Sequence, residues 1–483
     1  MPNETEAYNL RRRAVTSPCP SAPIPLPSYA LRALAVLEKA GFESWIVGGY
    51  VRDTLLDRPS ADIDIATQAP WQDVQRVFEG QGYRTHETGT AHGTLTAIVD
   101  EQALEITTFR CDGAYTDARH PKQVSFVRTI AEDLARRDFT INALAYHPAR
   151  GLFDPYGGYA DLEACIIRAV GDPDRRFSED ALRMLRACRF AAELGFAIDP
   201  TTFEGMMTNK GLLPRISVER VTHELQRLLL GAHAGSALVA TVDVLAAVLP
   251  ELVAMKGFEQ RTPYHIYDVL EHTAHVVDGV PAYPLVRWAA LFHDMGKPAA
   301  FFTDEKGTGH FYGHAAISVM LARGIMNRLA FSSAFTTRVL TLVARHDDVI
   351  DRSPKAVKRA CARLGGDTDL FSALCDLKRG DARGQAARCS GRVADADELE
   401  RILADTLAAD EAFTLKKLAL DGCDVIALGV PQGPLVGYAL ADALEAVIDE
   451  RVANEPDALR VFVTEWRDEH RNSTLDDSCT TAR

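Results

Sequence analysis

The chain has 483 residues, of which 47% are hydrophobic and 25% are charged, and its formal net charge is -14. This length allows about three domains of ~150 residues, and the hydrophobic content is that of an ordinary soluble protein. So acidic a chain does not coat nucleic acid by global attraction, and a nucleic-acid partner requires local basic patches. The nine cysteines form no CxxC pair, which argues against a disulfide framework or zinc ribbon and predicts a reducing, cytoplasmic location.

The predicted elements divide the chain into five regions. Residues 1–28 contain "TSPCPSAPIPLPS" and no apolar run long enough for a signal peptide or membrane helix, which predicts a disordered leader and no membrane partner. Residues 29–155 alternate short β-branched runs with amphipathic helices, which predicts a head with a small mixed sheet. Helical periodicity then predicts a neck at 156–258, a histidine-rich region at 259–352 and a C-terminal body at 353–483. The fold class is therefore predicted to be α+β.

Within the head, "VGGYVRD" sets two glycines at the end of an apolar strand and the start of a helix. Gly48 and Gly49 allow a ligand to approach the backbone closely, the helix start attracts anions, and Arg52 adds a cation one turn further on. Strand-to-helix turns also contain glycine for purely conformational reasons. This feature alone is therefore weak evidence for an anion site.

The stretch "ADIDIAT" follows in the head. Residues two apart in a strand share a face, so Asp62 and Asp64 present their carboxylates together while Ile63 and Ile65 face the core. Mg²⁺ prefers such hard oxygen ligands and completes its coordination with substrate phosphates. A solvated polar strand face is the alternative, and it is the more common meaning of an isolated DxD. Together with the glycine turn, the pair predicts a site for a nucleoside triphosphate and its metal ions.

Seven segments between about residues 30 and 230 form an ordered set that is specific to one family: "GGYVRDTLLDRPSADIDIAT", "LEITTFR", "DARHP", "DLARRDFTINALAY", "DPYGGYADL", "EDALRMLRACRFA" and "RISVERVTHEL". They resemble the class II nucleotidyltransferases, which comprise the tRNA CCA-adding enzymes and the bacterial poly(A) polymerases. The resemblance implies a polymerase-β-like palm in the head. It also implies nucleotidyl transfer, in which an RNA 3′-hydroxyl attacks the α-phosphate and pyrophosphate leaves.

The resemblance also assigns roles to residues of the head. The family's metal-binding and triphosphate-contacting residues correspond to Asp62, Asp64, Gly49, Arg52 and Arg137. Glu105 in "LEITTFR" corresponds to a third acidic position of the wider superfamily, and it fits the exposed side of an alternating strand equally well. Loss of either aspartate is expected to abolish transfer and to leave the fold largely intact.

The segment "EDALRMLRACRF" places Asp180 and Arg183 three residues apart on a predicted helix, with Arg186 and Arg189 close to the same line. A surface ion pair is the simple interpretation. Base recognition is the alternative: a carboxylate accepts from the amino group of cytosine or adenine and a guanidinium donates to the ring nitrogen, whereas uracil and guanine present the reverse order. In the resembled family the matching aspartate and arginine form this amino-acid template, and the later arginines lie near the nucleotide.

The segment "FRCDGAYTDARHPKQVSF" is rich in turn formers and mixed charge, which predicts a mobile loop. Its counterpart in the CCA-adding enzymes is needed for the final A. The presence of the segment therefore argues against an enzyme that adds only CC. An ordinary hairpin loop explains the segment equally well.

The histidine-rich region contains "YHIYDVLEHTAH", "LFHDMGKP", "GHFYGHAAIS" and "ARHDDVI". Imidazole with carboxylate is the usual ligand set of a hydrolytic transition-metal site. The region resembles the HD superfamily of metal-dependent phosphohydrolases, whose ligands correspond here to His272, His293, Asp294 and Asp347. His314 and His346 complete a second metal position, as in some branches, or only orient other ligands. A divalent transition metal there implies cleavage of a cyclic or terminal phosphate at an RNA 3′ end, and the alternative is a degenerate HD fold kept for packing or RNA binding.

The leading prediction is an enzyme that adds or repairs the 3′-terminal CCA of tRNA from CTP and ATP, using Mg²⁺, with an additional HD-type phosphohydrolase activity. A poly(A) polymerase or an A-adding enzyme is the nearest alternative. The segment "EDLARRDFT" lacks the extra basic residues expected of the poly(A) branch, which favours CCA addition. A rival from another class is an HD phosphohydrolase whose N-terminal part is only an RNA-binding module, and the aspartates of "ADIDIAT" argue against it.

Binding of tRNA to an acidic chain requires its cations to gather on one side. Three basic segments of the helical regions are candidates: "RSPKAVKRACAR", "LKRGDARGQAAR" and "LKKLALDG". A solvated helix face explains each of them equally well.

Overall fold

The structure is a computed structural model that describes residues 23–60, 62–112, 124–409 and 414–479. The chain forms two compact units, Met1–Val253 and Ala254–Arg483. Most of the predicted leader and residues 113–123 of the predicted mobile loop lie outside the described residues. Within the described ranges, no helix combines the length and the apolar character that crossing a membrane requires. The finer division into five regions stays a prediction.

The first unit is built on a mixed sheet of seven strands in the order β3-β4-β5-β2-β1-β8-β9. These strands are β1 Ser44–Val47, β2 Asp64–Thr67, β3 Arg84–Gly89, β4 Thr94–Val99, β5 Gln102–Thr108, β8 Ala145–His147 and β9 Gly151–Phe153. A short antiparallel pair, β6 Arg110–Asp112 and β7 Val124–Phe126, flanks the residues that are not described. Strands β2 and β5 run parallel and the other described neighbours run antiparallel.

The helices of the first unit begin between these strands and continue after them. They are α1 Ser28–Lys39, α2 Gly49–Leu55, α3 Trp71–Gly80, α4 Ile130–Ala135, α5 Gly158–Glu163, α6 Pro173–Glu179, α7 Leu182–Leu194, α8 Pro200–Asn209, α9 Val218–Leu229 and α10 Ala234–Leu245. A short parallel pair, β10 Ile166–Ile167 and β11 Ala197–Ile198, lies among them. Both α9 and α10 pack against α7, whose apolar side is buried. A mixed sheet followed by helices confirms the predicted α+β class.

The alternation predicted for "ADIDIAT" is present, although the strand is shorter than predicted. Ile63 and Ile65 are buried whereas Asp62 and Asp64 are exposed. Strand β2 begins only at Asp64, so Asp62 lies in the extended segment before it. The interior strand β1 is buried over its whole length and pairs with β2, which places the start of β2 at the edge of the core.

The prediction that Asp180 and Arg183 share one helix is wrong. Helix α6 ends at Glu179, Asp180 has an extended backbone, and α7 begins at Leu182. The Asp180 carboxylate accepts from the backbone N–H of Leu182 at 3.1 Å, so it caps the second helix instead of continuing the first. Aspartate favours this capping position because its side chain satisfies an N–H that has no partner within the helix.

Over its described residues, the second unit is helical apart from one hairpin. Its helices are α11 Val269–Gly279, α12 Pro284–Phe292, α13 Lys297–Ala300, α14 His314–Arg328, α15 Ser333–Arg345, α16 Pro354–Arg363, α17 Thr368–Gly384, α18 Gly391–Ala408, α19 Gly422–Ala427, α20 Pro434–Ile448 and α21 Pro456–Cys479. The hairpin joins β12 Phe302–Thr303 to β13 Gly309–His310. Helix α17 packs along α11 and also contacts α12 and α15, so it reaches the helices that carry the predicted HD residues.

Candidate functional site

A cleft of about 570 Å³ opens in the first unit, with the sheet on one side and helices α7 and α9 on the other. Its lining includes all of the residues predicted for nucleotidyl transfer and base recognition except Asp62: Gly48, Gly49, Arg52, Asp64, Glu105, Arg137, Asp180, Arg183, Arg186 and Arg189. Nine of the lining residues are arginines. A cationic cleft in an acidic chain is the kind of local basic patch that a polyanionic ligand requires.

The glycine turn leaves room for an arginine. Gly48 has a φ of 72°, a conformation that side chains other than glycine rarely adopt. A Cβ atom at this position would lie 2.7 Å from Nη1 of Arg137. Gly49 is the first residue of α2 and also lines the cleft. The turn therefore needs glycine both for its backbone conformation and for the close approach of the Arg137 side chain.

Carboxylates from neighbouring strands converge at the cleft floor. Asp64 on β2 is in register with Glu105 on the parallel strand β5, so the two side chains share a face. Desolvation, with repulsion from Glu105 and Asp62, outweighs the attraction of Arg137 and raises the pKa of Asp64 to about 6. Mutually repelling oxygen ligands beside a cleft fit a hard divalent cation, which removes the repulsion.

Buried carboxylates hold several cleft arginines in place. Asp138 accepts from Nε of Arg186 at 2.7 Å and from the amide of Asn142 at 3.0 Å. Burial would raise the pKa of Asp138, but the charge of Arg186 and these hydrogen bonds outweigh it and hold the pKa well below its usual range. The Asn142 side-chain oxygen in turn accepts from Arg52 at 2.7 Å, and Asp53 accepts two further hydrogen bonds from that guanidinium. Asp138 and Asn142 thus orient the cations that face the cleft.

The two predicted base-reading residues have different partners. Asp180 accepts from Arg220 at 3.0 Å. Arg183 donates to Glu179 at 3.0 Å and to the backbone carbonyl of Arg136 at 2.9 Å. Both side chains reach the same cleft, so the structure brings them together through a helix break and not through one helix face.

The remaining arginines of α7 surround an aromatic ring. The guanidinium carbon of Arg52 lies 5.0 Å from the centre of the Phe190 ring, and those of Arg186 and Arg189 lie 5.6 and 4.2 Å from it. Arg189 also pairs with the buried Glu224, with Nε and Oε2 3.0 Å apart. The predicted placement of Arg183, Arg186 and Arg189 along one helix is confirmed.

Sequence reasoning missed several residues of this cleft, among them Asp138, Asn142, Phe190 and Arg220. Asp138 and Asn142 stand four apart in "DLARRDFTINALAY", and Arg220 lies in "RISVERVTHEL". These three residues belong to segments that carry the family resemblance, but the resemblance assigned no role to them. Their roles as side-chain partners depend on residues of other elements, which the spacing within each segment does not disclose.

A second cluster lies in the other unit, where imidazoles meet on both sides of one aspartate. Nε2 of His272 and Nε2 of His293 are 3.3 Å apart, and each is 3.2 Å from Oδ2 of Asp294. Nε2 of His314 and Nε2 of His346 are 3.1 Å apart, and they lie 3.3 and 3.7 Å from Oδ1 of the same aspartate. These five residues are all buried and form two groups able to hold a metal ion.

The hydrogen bonds behind the four imidazoles decide their tautomer. Each Nδ1 lies within 3.0 Å of a backbone carbonyl oxygen, and a carbonyl oxygen only accepts. The proton of each neutral ring therefore resides on Nδ1, and Nε2 offers its lone pair to the centre of the cluster. This is the tautomer that a metal-binding histidine with a backbone partner adopts.

The charges of the cluster also favour a cation. Burial would lower the pKa of His272, but hydrogen bonds to Asp294 and Asp381 outweigh it and raise the pKa to about 9. The same opposition between burial and the carboxylates raises the pKa of His346. In the absence of a metal ion, protons on the imidazoles balance the negative charges of the neighbouring carboxylates. A divalent transition metal at each group fits the donor set and replaces those protons.

The structure corrects the predicted late aspartate of the group that contains His272, His293 and Asp294. Asp347 lies 3.3 Å from Nε2 of His314, so it belongs with the second group. Asp381 on α17 lies 3.1 Å from Nε2 of His272 and completes the first group instead. The predicted end of this region at residue 352 leaves Asp381 out, and the sequence predicts its segment "LKRGDARGQAAR" only as a tRNA-binding basic segment or a solvated helix face. Its contact with α11 arises from packing between segments far apart in sequence.

The basic helices of the second unit largely serve the fold. Lys378 donates to the backbone carbonyls of His346 and Asp348, both at 2.7 Å. Arg379 pairs with three carboxylates: Asp376, Asp397 and Glu400. In "RSPKAVKRACAR", the ammonium of Lys355 and the guanidinium of Arg359 both contact Asp449. Arg379, Lys355 and Arg359 are thus paired with carboxylates of the protein, so these three cations contribute little to an RNA-binding field.

Three family models match the chain in order. The Poly A polymerase head domain matches residues 44–168, the probable RNA and SrmB-binding site of polymerase A matches residues 195–255, and the HD domain matches residues 263–402. The cleft residues Gly48 to Asn142 lie in the first match, and both imidazole groups with Asp381 lie in the third.

Curated relatives match over most of their length. The CCA-adding enzyme of Limosilactobacillus fermentum is 34% identical over 431 residues, which cover 87% of this chain and 92% of the relative. The CCA-adding enzyme of Geobacillus stearothermophilus is 33% identical over 452 residues, which cover 93% of this chain and 98% of the relative.

The fold agrees with the same family. The crystal structure of the Bacillus stearothermophilus CCA-adding enzyme in complex with CTP has a TM-score of 0.68 at 30% identity and covers 93% of this chain and 98% of that chain. The Thermotoga maritima CCA-adding enzyme complexed with tRNA shares the fold, with a TM-score of 0.53 at 20% identity over 92% of this chain and 97% of that chain. The cationic cleft over paired strand carboxylates and the buried His-Asp cluster lie in the parts of the chain that the family models match, and the curated relatives match over nearly their full length. This chain therefore belongs to the family of CCA-adding enzymes, the class II tRNA nucleotidyltransferases.

Proposed function

We propose that this protein adds or repairs the 3′-terminal CCA of tRNA, using CTP and ATP. The observation that carries the proposal is the cleft in which Asp64 and Glu105 face a group of nine arginines, in a chain whose full-length relatives are CCA-adding enzymes. The reaction joins the RNA 3′-hydroxyl oxygen to the α-phosphate of the incoming nucleotide and releases pyrophosphate. A poly(A) polymerase or A-adding enzyme is the alternative that the assay below separates.

The residues of the cleft supply the parts that this transfer needs. A divalent cation, which we propose to be Mg²⁺, neutralises the reacting oxygens when it is bound by Asp62 and Asp64, with Glu105 as an adjacent carboxylate. The turn at Gly48 and Gly49, with Arg52 and Arg137, binds the triphosphate. These guanidinium groups are held before the nucleotide arrives, so little reorganisation is needed when negative charge develops on the leaving pyrophosphate.

Base choice is assigned to Asp180 and Arg183. The oxygens of the Asp180 carboxylate already accept from Leu182 and Arg220, and a remaining lone pair accepts from the amino group of cytosine or adenine. Arg183 donates to the ring nitrogen. Uracil and guanine set a carbonyl oxygen against the carboxylate, which leaves both groups without a donor. Arg186 and Arg189 lie one and two turns further along α7 and complete the nucleotide subsite.

The cellular setting follows from the same assignment. We propose that the enzyme acts in the cytoplasm, where tRNA is processed and where free thiols persist. The seven cysteines whose side chains the structure describes are all free, which fits a reducing compartment.

We propose a second activity, hydrolysis of a cyclic or terminal phosphate at an RNA 3′ end, for the imidazole cluster. The observation that favours it is the pair of buried metal-binding groups joined by Asp294. A divalent transition metal bound there supplies charge stabilisation and an activated water. Lys297 Nζ lies 2.6 Å from Oδ2 of Asp294 and lines the same cavity, so it offers a fixed cation to a phosphate.

CCA addition is tested with a tRNA transcript that lacks its last three nucleotides, given CTP and ATP singly and together. We expect growth by three nucleotides only when both are present. Asp64→Asn is expected to reduce the rate of nucleotide addition at least ~10³-fold, because it removes a carboxylate that holds the divalent cation against the triphosphate. Glu87→Gln, an exposed change on β3, is the matched control. A long A ladder on unrelated RNA, or no growth at all, contradicts the proposal.

Base selection is tested with Asp180→Asn. The amide oxygen still caps α7, so the fold is expected to persist, but the group that faces the base becomes a donor. We expect the preference for CTP over UTP in single-nucleotide extension to fall by about 10²-fold. Asp174→Asn, an exposed change on α6, leaves the preference unaltered. Unchanged discrimination in Asp180→Asn would show that another group reads the base.

The pKa of Asp64 predicts a link between pH, metal and stability. The pKa in the folded state, about 6, is above the unfolded value of about 3.9, so metal-free protein gains stability from this carboxyl below pH ~4 and loses it as the pH rises through 6. Because Mg²⁺ competes with that proton, the rise in melting temperature on adding Mg²⁺ is expected to be larger at pH 7.5 than at pH 5. Asp64→Asn should abolish the difference, and an equal Mg²⁺ effect at both pH values in the unaltered protein argues against metal binding there.

The two sites are expected to act independently. His293→Gln removes one Nε2 ligand, so we expect lower transition-metal content by elemental analysis and loss of 2′,3′-cyclic phosphate hydrolysis, with CCA addition retained. Asp64→Asn is expected to give the opposite pattern. Hydrolysis that survives in His293→Gln, with its metal content unchanged, would refute the hydrolase assignment.

A further inference from the structure

Three aromatic rings lie together at the hairpin of β12 and β13: the exposed rings of Phe302 and Tyr312 and the half-buried ring of His310. The rings of Phe302 and His310 are stacked with centroids 5.3 Å apart, and those of His310 and Tyr312 are stacked with centroids 5.6 Å apart. Phe302 is 46% exposed and Tyr312 is 78% exposed, so the cluster does not form part of the core. Phe302 and His310 are cross-strand partners, and Tyr312 follows two residues later on the same side. We refer to Phe302, His310 and Tyr312 as the aromatic platform.

The hairpin that carries the platform is held firmly. The Asp304 carboxylate accepts from the backbone N–H groups of Lys306 and Thr308, both at 2.9 Å, and closes the turn. Gly309 donates its N–H to the carbonyl of Arg261 at 2.9 Å. A Cβ atom on Gly309 would lie 2.2 Å from the carbonyl oxygen of Gln260, so the strand packs directly on that segment. The rings are thus presented at a fixed position at the protein surface.

The platform adjoins the imidazole cluster. A cavity of about 390 Å³ is lined by His310 and Tyr312 as well as by the metal-binding residues Asp294, His314 and His346. Tyr264 lines the same cavity and is 49% exposed, with the guanidinium of Arg392 located 5.8 Å from its ring centre. Lys297 and Arg392 add two cations to the lining. One cavity therefore combines flat apolar surfaces, cations and a metal-binding cluster.

We propose that the aromatic platform stacks on the nucleobase of a nucleotide whose phosphoester lies at the imidazole cluster. This proposal rests on the proposed hydrolase function and adds that the RNA 3′ end is held by its base as well as by its phosphate. Nucleoside phosphates therefore bind more tightly than base-free phosphoesters. Every base offers a flat face to an aromatic ring, so the platform accepts any base, and Lys297 and Arg392 meet the phosphates. Tyr312 is a positioning residue, because it holds the base and does not touch the reacting atoms.

The kinetic test uses the full chain loaded with Ni²⁺ and compares 2′,3′-cyclic AMP with glycerol 1,2-cyclic phosphate, which has no base. For Tyr312→Ala we expect KM for the nucleotide to rise about 10-fold with kcat unchanged, and no change for the glycerol ester. Tyr312→Phe keeps the ring and is expected to behave as the unaltered protein. Met320→Ala, an exposed apolar change on α14, is the matched control. An equal loss for both substrates, or no loss for the nucleotide, overturns the platform.

A binding test is independent of turnover. In the metal-free full chain, the fluorescence of 2-aminopurine riboside monophosphate is expected to be quenched on stacking, with a Kd about 10-fold weaker in Tyr312→Ala than in Met320→Ala or Tyr312→Phe. Equal affinities in all three variants overturn the proposal. Absence of hydrolysis of either substrate refutes the hydrolase function alone, because the fluorescence measurement still decides whether the platform binds a base.

Discussion

The head cleft depends on pairing between arginines and buried carboxylates. Like charges around one cavity repel, and without internal partners the guanidinium groups would not stay gathered there. Asp133 lies within 3.5 Å of both Arg136 and Arg137, and Asp138 binds Arg186. Each carboxylate uses only part of a guanidinium, since Nε of Arg137 has no hydrogen-bond partner in the described part of the chain. The arginine side chains line the cleft, where a triphosphate would supply further acceptors for them.

The second unit uses backbone atoms for the same purpose. The Nδ1 atoms of His293, His314 and His346 each bind the carbonyl three residues earlier in the chain. His293 and His346 stand at the ends of α12 and α15, where helix carbonyls have no partner within the helix. Helix ends thereby orient the imidazoles, and Asp294 accepts between the two pairs. In both units the protein's own hydrogen bonds hold the side chains of the site from the side away from the ligand. The atoms that face the cleft or the centre of the imidazole cluster therefore remain available to a ligand.

Much of the fold and part of each site were predictable. The α+β class, the alternation around Asp62 and Asp64 and the clustering of the predicted histidines all follow from short-range patterns. The family resemblance placed Arg137 and Glu105, which no local pattern distinguishes from ordinary surface residues. Asp180 shows where periodicity misled: a three-residue spacing to Arg183 suggested one helix, whereas the aspartate satisfies the next helix start and breaks the pattern.

The sequence by itself determined which local elements form and which residue types are available, because strand alternation, glycine turns and helix periodicity arise from sterics between near neighbours. Only the tertiary structure decided the partners. Arg220 reaches Asp180 across 40 residues and Asp381 reaches His272 across more than a hundred, through helix packing that no spacing encodes. It also decided that Lys378 and Arg379 serve the fold. Lys378 binds backbone carbonyls just beyond the end of α15, and Arg379 binds carboxylates of α18 as well as one on its own helix. The two sites form only because packing brings charged and buried residues from distant segments of the chain into contact.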